Sequence, residues 1–464
     1  MIDWLQHSTG GLLTLSGLSI ALLLVLIIKV KVEPFIALLV VGLLVALAAG
    51  LPVEKLVGSA QKASGSLLES GFGGILGHVA AIIGLGTLLG AILEASGGAE
   101  VLTRALLRAF GEKRAPLAMG LAGLIFGVPV FFDIGIFVLA PLVYAAAKRG
   151  GRSIVLYALP LLAGLSVMHA FMPPHPGPVA AAGLLKVELG WIIIMALAVA
   201  IPAWFIGGVI FSSWVGKRVI VPVPEEMLAA AEEVRSEEAR GEPPLSLVLG
   251  IIAVPLVLIL SGTFGSILLP KGSTLLGVFT FFGTPAVALS IAVLLAFWLL
   301  GYRRGMTRAQ VTELSAASLR PVAMILLVVG AGGFFGAVLS ATGVGTVLAT
   351  ELSDLGLPVI ALSYVISCAM RIAQGSATVA IVTTTGIVAP VVADLGYSQP
   401  QLALVVMAIA AGSIIASHVN DGGFWIVSRY FGLSVKETLQ TWTVLETILS
   451  VVAFVVAALL SLVV

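Results

Sequence analysis

Charge is what this chain has least of. Only 10% of its 464 residues are Asp, Glu, Lys or Arg, while 59% are hydrophobic and the mean hydropathy is +1.17. Soluble domains carry about 25% charged residues, so the composition excludes a soluble globular fold and points to a polytopic membrane protein. Basic residues barely outnumber acidic ones, at a net charge of +1, and no nucleic-acid partner is expected. A single cysteine, Cys368, permits no intrachain disulfide. No HExxH or CxxC spacing offers a metal site. No nucleophile elbow, Walker loop or dinucleotide fingerprint occurs in a convincing setting, so neither an enzyme nor a cofactor is expected. The first apolar segment, roughly Gly11 to Ile28, has no basic stretch before it and no A-x-A after it, and reads as a retained helix rather than a cleaved leader.

What the chain does have is apolar runs. Segments near 11–30, 34–50, 72–94, 190–213, 246–268, 276–300, 321–348 and 441–463 match the roughly 20 residues needed to cross a bilayer. Two more, near 154–185 and 398–431, are interrupted by "MPPHPGP" and "HVNDGG"; two others, near 115–147 and 357–392, carry "GVPVFFD" and "AQGSAT" at their centres. The only long polar stretch, "EEMLAAAEEVRSEEARGEPP" at 225–244, reads as a solvated linker.

The two sides of that linker resemble each other. "GLGTLLGAILEASG" from Gly84 and "GAGGFFGAVLSATG" from Gly330 share seven identities in fourteen positions, and the order of later features is preserved. The expected fold class is therefore all-α: a first membrane repeat over 1–216, a cytoplasmic charged linker over 217–244, and a second repeat over 245–464. Lys and Arg mark cytoplasmic ends. Arg104, Arg108, Lys113 and Arg114 precede the 115–147 segment, and Lys148, Arg149 and Arg152 follow it, so it is expected to enter and leave on one side as a re-entrant hairpin. Its counterpart is flanked by Glu351, Asp354 and Asp394 and is expected to enter from the opposite face. Five spans and one hairpin per half then make the second copy inverted; Lys55 and Lys62 do not fit this orientation.

Inverted repeats with broken helices are the build of secondary transporters, which bind cargo near the midplane where half-helices meet. Helix N-termini at such breaks favour an anion, so an organic carboxylate is the expected substrate. Ser376, Thr378 and Asn420 offer hydroxyl and amide groups for a polyhydroxylated ligand; Thr383, Thr384 and Thr385 could equally bond back to their own helix. Arg371 could grip a substrate carboxylate through its fork of donors or clamp hairpin carbonyls and an acid. Asp133 and Asp421 are expected as ligand partners or proton carriers, or in Asp133's case as a cap of the hairpin. Desolvation beside the Gly422–Gly423 pair makes Asp421 the first candidate for the coupling proton. His169 and His418 are expected to make structural hydrogen bonds or relay protons.

The stretches "GVPVFFDIGIFVLAPLV", "HAFMPPHPGPVAAA", "RIAQGSATVAIVTTTGIVAP" and "ASHVNDGGFWIVSRYFGLSVKETLQTWTVLETI" resemble the gluconate permease family, proton symporters of sugar acids within the ion transporter superfamily. The likeness runs over nearly the whole chain. It implies a bacterial inner membrane location, uptake of gluconate or a related hydroxy acid with a proton, and a homodimer with an elevator-like moving part that contains both hairpins. It maps the family's characteristic positions onto Asp133, His175, Arg371, Gln374, Ser376, Thr378, His418, Asn420 and Asp421. D-glycerate and D-serine stand as alternative cargoes, and an anion channel as an alternative class.

Overall fold

The computed structural model describes residue 4 and residues 8–58, 66–223, 242–342, 358–419 and 421–464, apart from the side chains of residues 16, 28, 373 and 374. Every regular element among them is helical. The first half comprises α1 (Thr9–Leu24), α2 (Pro34–Ala48), α3 (Leu67–Ala95), α4 (Gly98–Phe110), α5 (Ala115–Phe126), α6 (Phe132–Gly150), α7 (Val155–Phe171), α8 (Pro176–Leu184) and α9 (Leu189–Trp204). The second comprises α10 (Leu245–Leu268), α11 (Thr274–Gly283), α12 (Pro285–Ala296), α13 (Arg308–Leu319), α14 (Val322–Ala341), α15 (Val359–Gln374), α16 (Ala377–Ala393), α17 (Gln399–Gly412), α18 (Gly422–Tyr430) and α19 (Val444–Leu460). Most of the polar linker, residues 224–241, lies outside the described residues, as do Lys62, Glu351 and Asp354.

Among the described residues, eight helices are long and apolar enough to cross a membrane. Their burial sorts them by depth in the bundle. The broken α7–α8 unit is 94% buried, whereas α10 is 28% buried and turns Val257 and Leu268 outward, as a lipid-facing helix should. The run near 276–300, expected as one span, is two helices. Pro285 has no N–H and pushes the residue before it out of helical geometry; Thr284 accordingly sits at ψ 124, and α12 starts afresh.

At each position where a hairpin is expected the chain forms a pair of consecutive helices. Gly111, Glu112 and Ala115 at the start of α5 line one cleft with Leu142, Arg149 and Gly150 at the end of α6, so the chain returns to where it left. In the second half α15 packs on α16. Both interrupted spans are also broken: α7 ends at Phe171 and α8 begins at Pro176, while α17 ends at Gly412 and α18 begins at Gly422. The second break is thus longer than "HVNDGG" alone.

The packing of these pieces is reciprocal. α5 lies against α7 and α15 against α17, while α8 packs on α16 and α18 on α6. Each half's short post-break helix therefore rests on the other half's hairpin. Glycine sets the close approaches. A Cβ on Gly123 of α5 would stand 2.3 Å from the Leu161 carbonyl oxygen of α7, and one on Gly412 of α17 would stand 2.6 Å from that of Tyr364 on α15. α3 seats the first hairpin in the same way: a Cβ on Gly90 would meet the Pro129 carbonyl oxygen at 2.3 Å.

Candidate functional site: a cavity at three helix starts

Three breaks converge on one cavity of about 580 Å³, within the roughly 300–1,000 Å³ usual for small-molecule sites. Its wall includes Phe131, Phe132 and Asp133 from the first hairpin, Gly375, Ser376 and Thr378 from the second, and Asp421, Gly422 and Gly423 from the second broken span. These residues are the first turns of α6, α16 and α18. A helix start presents amides without intrahelical acceptors and the positive end of the macrodipole. Ser376 caps α16 by accepting from Val379 N at 3.4 Å, and Asp421 caps α18 by accepting from Gly423 N at 2.8 Å; α6 has no side-chain cap at Phe131.

Arg371 joins two of the breaks. Its Nη1 donates to the Gly375 carbonyl, across the second hairpin's turn, and its Nη2 pairs with Asp421 Oδ2. The guanidinium is 5% exposed and lines the cavity. Of the two readings of its sequence position, the clamp on a hairpin carbonyl and an acid is seen directly, while the side chain also lines the cavity. Asp421 is held from a further side by Ser417 Oγ. Trp442 Nε1 donates to Ser417 Oγ at 2.7 Å, and the Trp442 ring stacks on Phe132 with centroids 5.3 Å apart. One chain of contacts thus runs from the first hairpin to the second through the break before α18.

Of the residues expected at the site, Asp133, His169, Arg371, Ser376, Thr378 and Asp421 share the cavity wall. Asn420 and the Gln374 side chain lie outside the described residues. His175 stands behind the wall: its ring is buried, Nε2 is 2.7 Å from the Gly127 carbonyl oxygen, and it packs on Phe131 and on His169. It braces the first hairpin's turn. His418 folds back on its own loop, Nδ1 lying 2.8 Å from the Ala416 carbonyl oxygen. Thr385 bonds back to Ile381 O at 2.7 Å, whereas the buried Thr383 and Thr384 hydroxyls have no hydrogen-bond partner among the described residues.

A profile of the family described as "GntP family permease" matches residues 12–463. The chain belongs to this permease family. It is 43% identical to the inner membrane permease YgbN of Escherichia coli over 97% of this chain and 98% of that one. It is 43% identical to the gluconate permease of Pseudomonas aeruginosa, over 95% of each, and 39% identical to that of Bacillus subtilis, over 97% of this chain and 100% of the other. Two solved transporters share the fold at low identity. The YdaH transporter of Alcanivorax borkumensis has a TM-score of 0.62 at 15% identity, covering 93% of this chain and 99% of its own. MtrF of Neisseria gonorrhoeae, from a class described as antimetabolite efflux pumps, has a TM-score of 0.64 at 16% identity, covering 99% and 96%.

The permease also carries an acid at this site that the motif-based reading passed over. Glu446 of α19 is 1% exposed and lines the cavity together with Ser166 of α7. The signal for Glu446 was in the sequence: it is a lone carboxyl in the apolar run 441–463, and an intramembrane acid marks function by default.

Proposed function

We propose that this permease imports gluconate or a related sugar acid by proton symport across the bacterial inner membrane. Support for an anionic cargo comes from the three helix starts and Arg371 around one cavity. The observation that carries the proton is the charge count of the wall: among the described residues Arg371 is its one Lys or Arg, against the three carboxyl groups of Asp133, Asp421 and Glu446. An anion entering with all three ionised would add negative charge to a site already in excess of it. Taking up a proton together with the anion removes that conflict, and linkage makes the help mutual.

In this reading the cargo's carboxylate sits at the starts of α16 and α18 beside Arg371, and its hydroxyls meet Ser376, Thr378 and Asp133, with Gln374 and Asn420 as further ligands. The two hairpins are re-entrant, the halves are inverted repeats, and alternating access is an elevator-type movement of the hairpin-bearing part in a homodimer. The reciprocal packing of α8 on α16 and α18 on α6 supports the repeat. D-glycerate or D-serine is the alternative cargo; a smaller ligand would use fewer of the same groups.

The test is uptake of labelled gluconate into proteoliposomes under an imposed pH gradient, with glycerate, galactonate, fructuronate and D-serine as competitors. Accumulation above the external concentration, abolished by a protonophore, is expected. Label that equilibrates without accumulating would indicate a facilitated pathway or channel and overturn the symport reading. Competition by D-serine or glycerate but not by galactonate would move the assignment to the smaller cargo.

A further inference from the structure

We infer that Glu446 is the group that takes up and releases the coupling proton, an assignment that rests on the symport reading above. Asp421 was the first candidate from the sequence, and its surroundings argue otherwise. It accepts from Arg371, Ser417 Oγ and Gly423 N at once, and protonation would break the ion pair that joins the second hairpin to α18. Glu446 lacks such a hold. Its carboxyl is buried on the cavity wall that Ser166 shares, and its Oε1 has no hydrogen-bond partner among the described residues.

The groups around it complete the argument. α7 brings Ser166 and His169 to the cavity, α15 brings Arg371, the break before α18 brings Asp421, and the turn before α19 brings Trp442. Tyr364 and Cys368 of α15 interact with each other, and Tyr364 bonds Ser450, one turn further along α19. The other helices packed on α19, namely α9 and α17, have no ionisable side chain in their ranges. Arg371 is already matched by Asp421, so Glu446 has no cation of its own on the wall. Protonation at Oε1 forms one O–H bond with a proton taken from bulk water through the cavity and leaves the carboxyl neutral. The incoming carboxylate then meets a site with one negative charge fewer, and its departure on the far side favours release of the same proton.

The experiment compares wild type and Glu446→Gln in proteoliposomes for gluconate accumulation and for counterflow exchange. One unit of pH gradient sustains about tenfold accumulation by one-proton symport; Glu446→Gln is expected to lower the ratio to unity while counterflow persists. If wild type itself fails to accumulate, the symport reading falls, and this inference with it. If wild type and Glu446→Gln accumulate alike, only the assignment to Glu446 falls. Should the Gln variant not fold, Ser166→Ala keeps the test open. It removes a polar hydroxyl from the wall that Glu446 shares, so the pH midpoint of gluconate affinity should move, and an unchanged midpoint overturns the assignment.

Discussion

Arg371 does its work through geometry as much as charge. Separate nitrogens serve the Gly375 carbonyl and the Asp421 carboxylate, and a planar fork can do both while a lysine ammonium on a flexible stem cannot hold the same pair of directions. Arg371→Lys should therefore retain the charge yet raise the KM for gluconate roughly tenfold or more, the scale of one lost charge-assisted hydrogen bond. Asp421→Asn should be worse. It leaves a buried guanidinium without its partner, a change that costs on the order of 3–5 kcal/mol in buried pairs, so thermal stability, accumulation and counterflow should all fall. That pattern, set beside a Glu446→Gln variant that keeps counterflow, separates a residue that holds the site from one that titrates in it. Normal accumulation by Asp421→Asn would show that the pair is dispensable.

At the scale of the element, the breaks border the cavity, and their legibility differed for physical reasons. "MPPHPGP" announces its own break, because prolines forbid helical hydrogen bonds. The break before α18 is only half announced. Its helix stops at Gly412, and "SIIAS" contains no helix breaker. What holds that segment is tertiary: Trp442 and Thr443 of a distant turn bind the side chain and carbonyl of Ser417. The Gly–Thr–Pro junction before α12 was readable as a local motif but disappears in a hydropathy average across 276–300. His175 was expected as a ligand, and its position behind the first hairpin could not be read from a motif shared with cavity residues. Its bond to Gly127 O fixes the turn on which Phe131 to Asp133 are mounted. His175→Ala should lower the melting temperature and Vmax, since a buried carbonyl losing its partner costs about 1–3 kcal/mol, with KM changing far less. A KM effect dominating over Vmax would return His175 to the ligand set.

For the whole molecule, the expected topology can be checked independently of substrate. In a Cys368→Ser background, single cysteines at the exposed Lys113 and Lys148 should both be labelled from the cytoplasm, and cysteines at Pro358 and Ala393 both from outside. Labelling of either pair from opposite sides would turn that hairpin into a true span and remove the inverted arrangement. Most of the apolar runs and the two broken spans were visible as patterns along one dimension, while the run near 276–300 hid a break. The meeting of three helix starts around Arg371 was not, because it depends on which half rests on which.

That interlock constrains the order of events during synthesis. α6 belongs to the first half, but the helix that covers it, α18, begins at Gly422, almost at the end of the chain. At about 5–20 residues per second, the ribosome leaves the first hairpin without its cover for on the order of tens of seconds. The hairpin must persist through that interval on contacts within its own half, with the tip that later joins the cavity wall as its least supported part. Final assembly of the cavity is thus a late, post-insertion step, and a chain stopped before Gly422 would carry the first half and lack the wall that Asp421 to Gly423 complete.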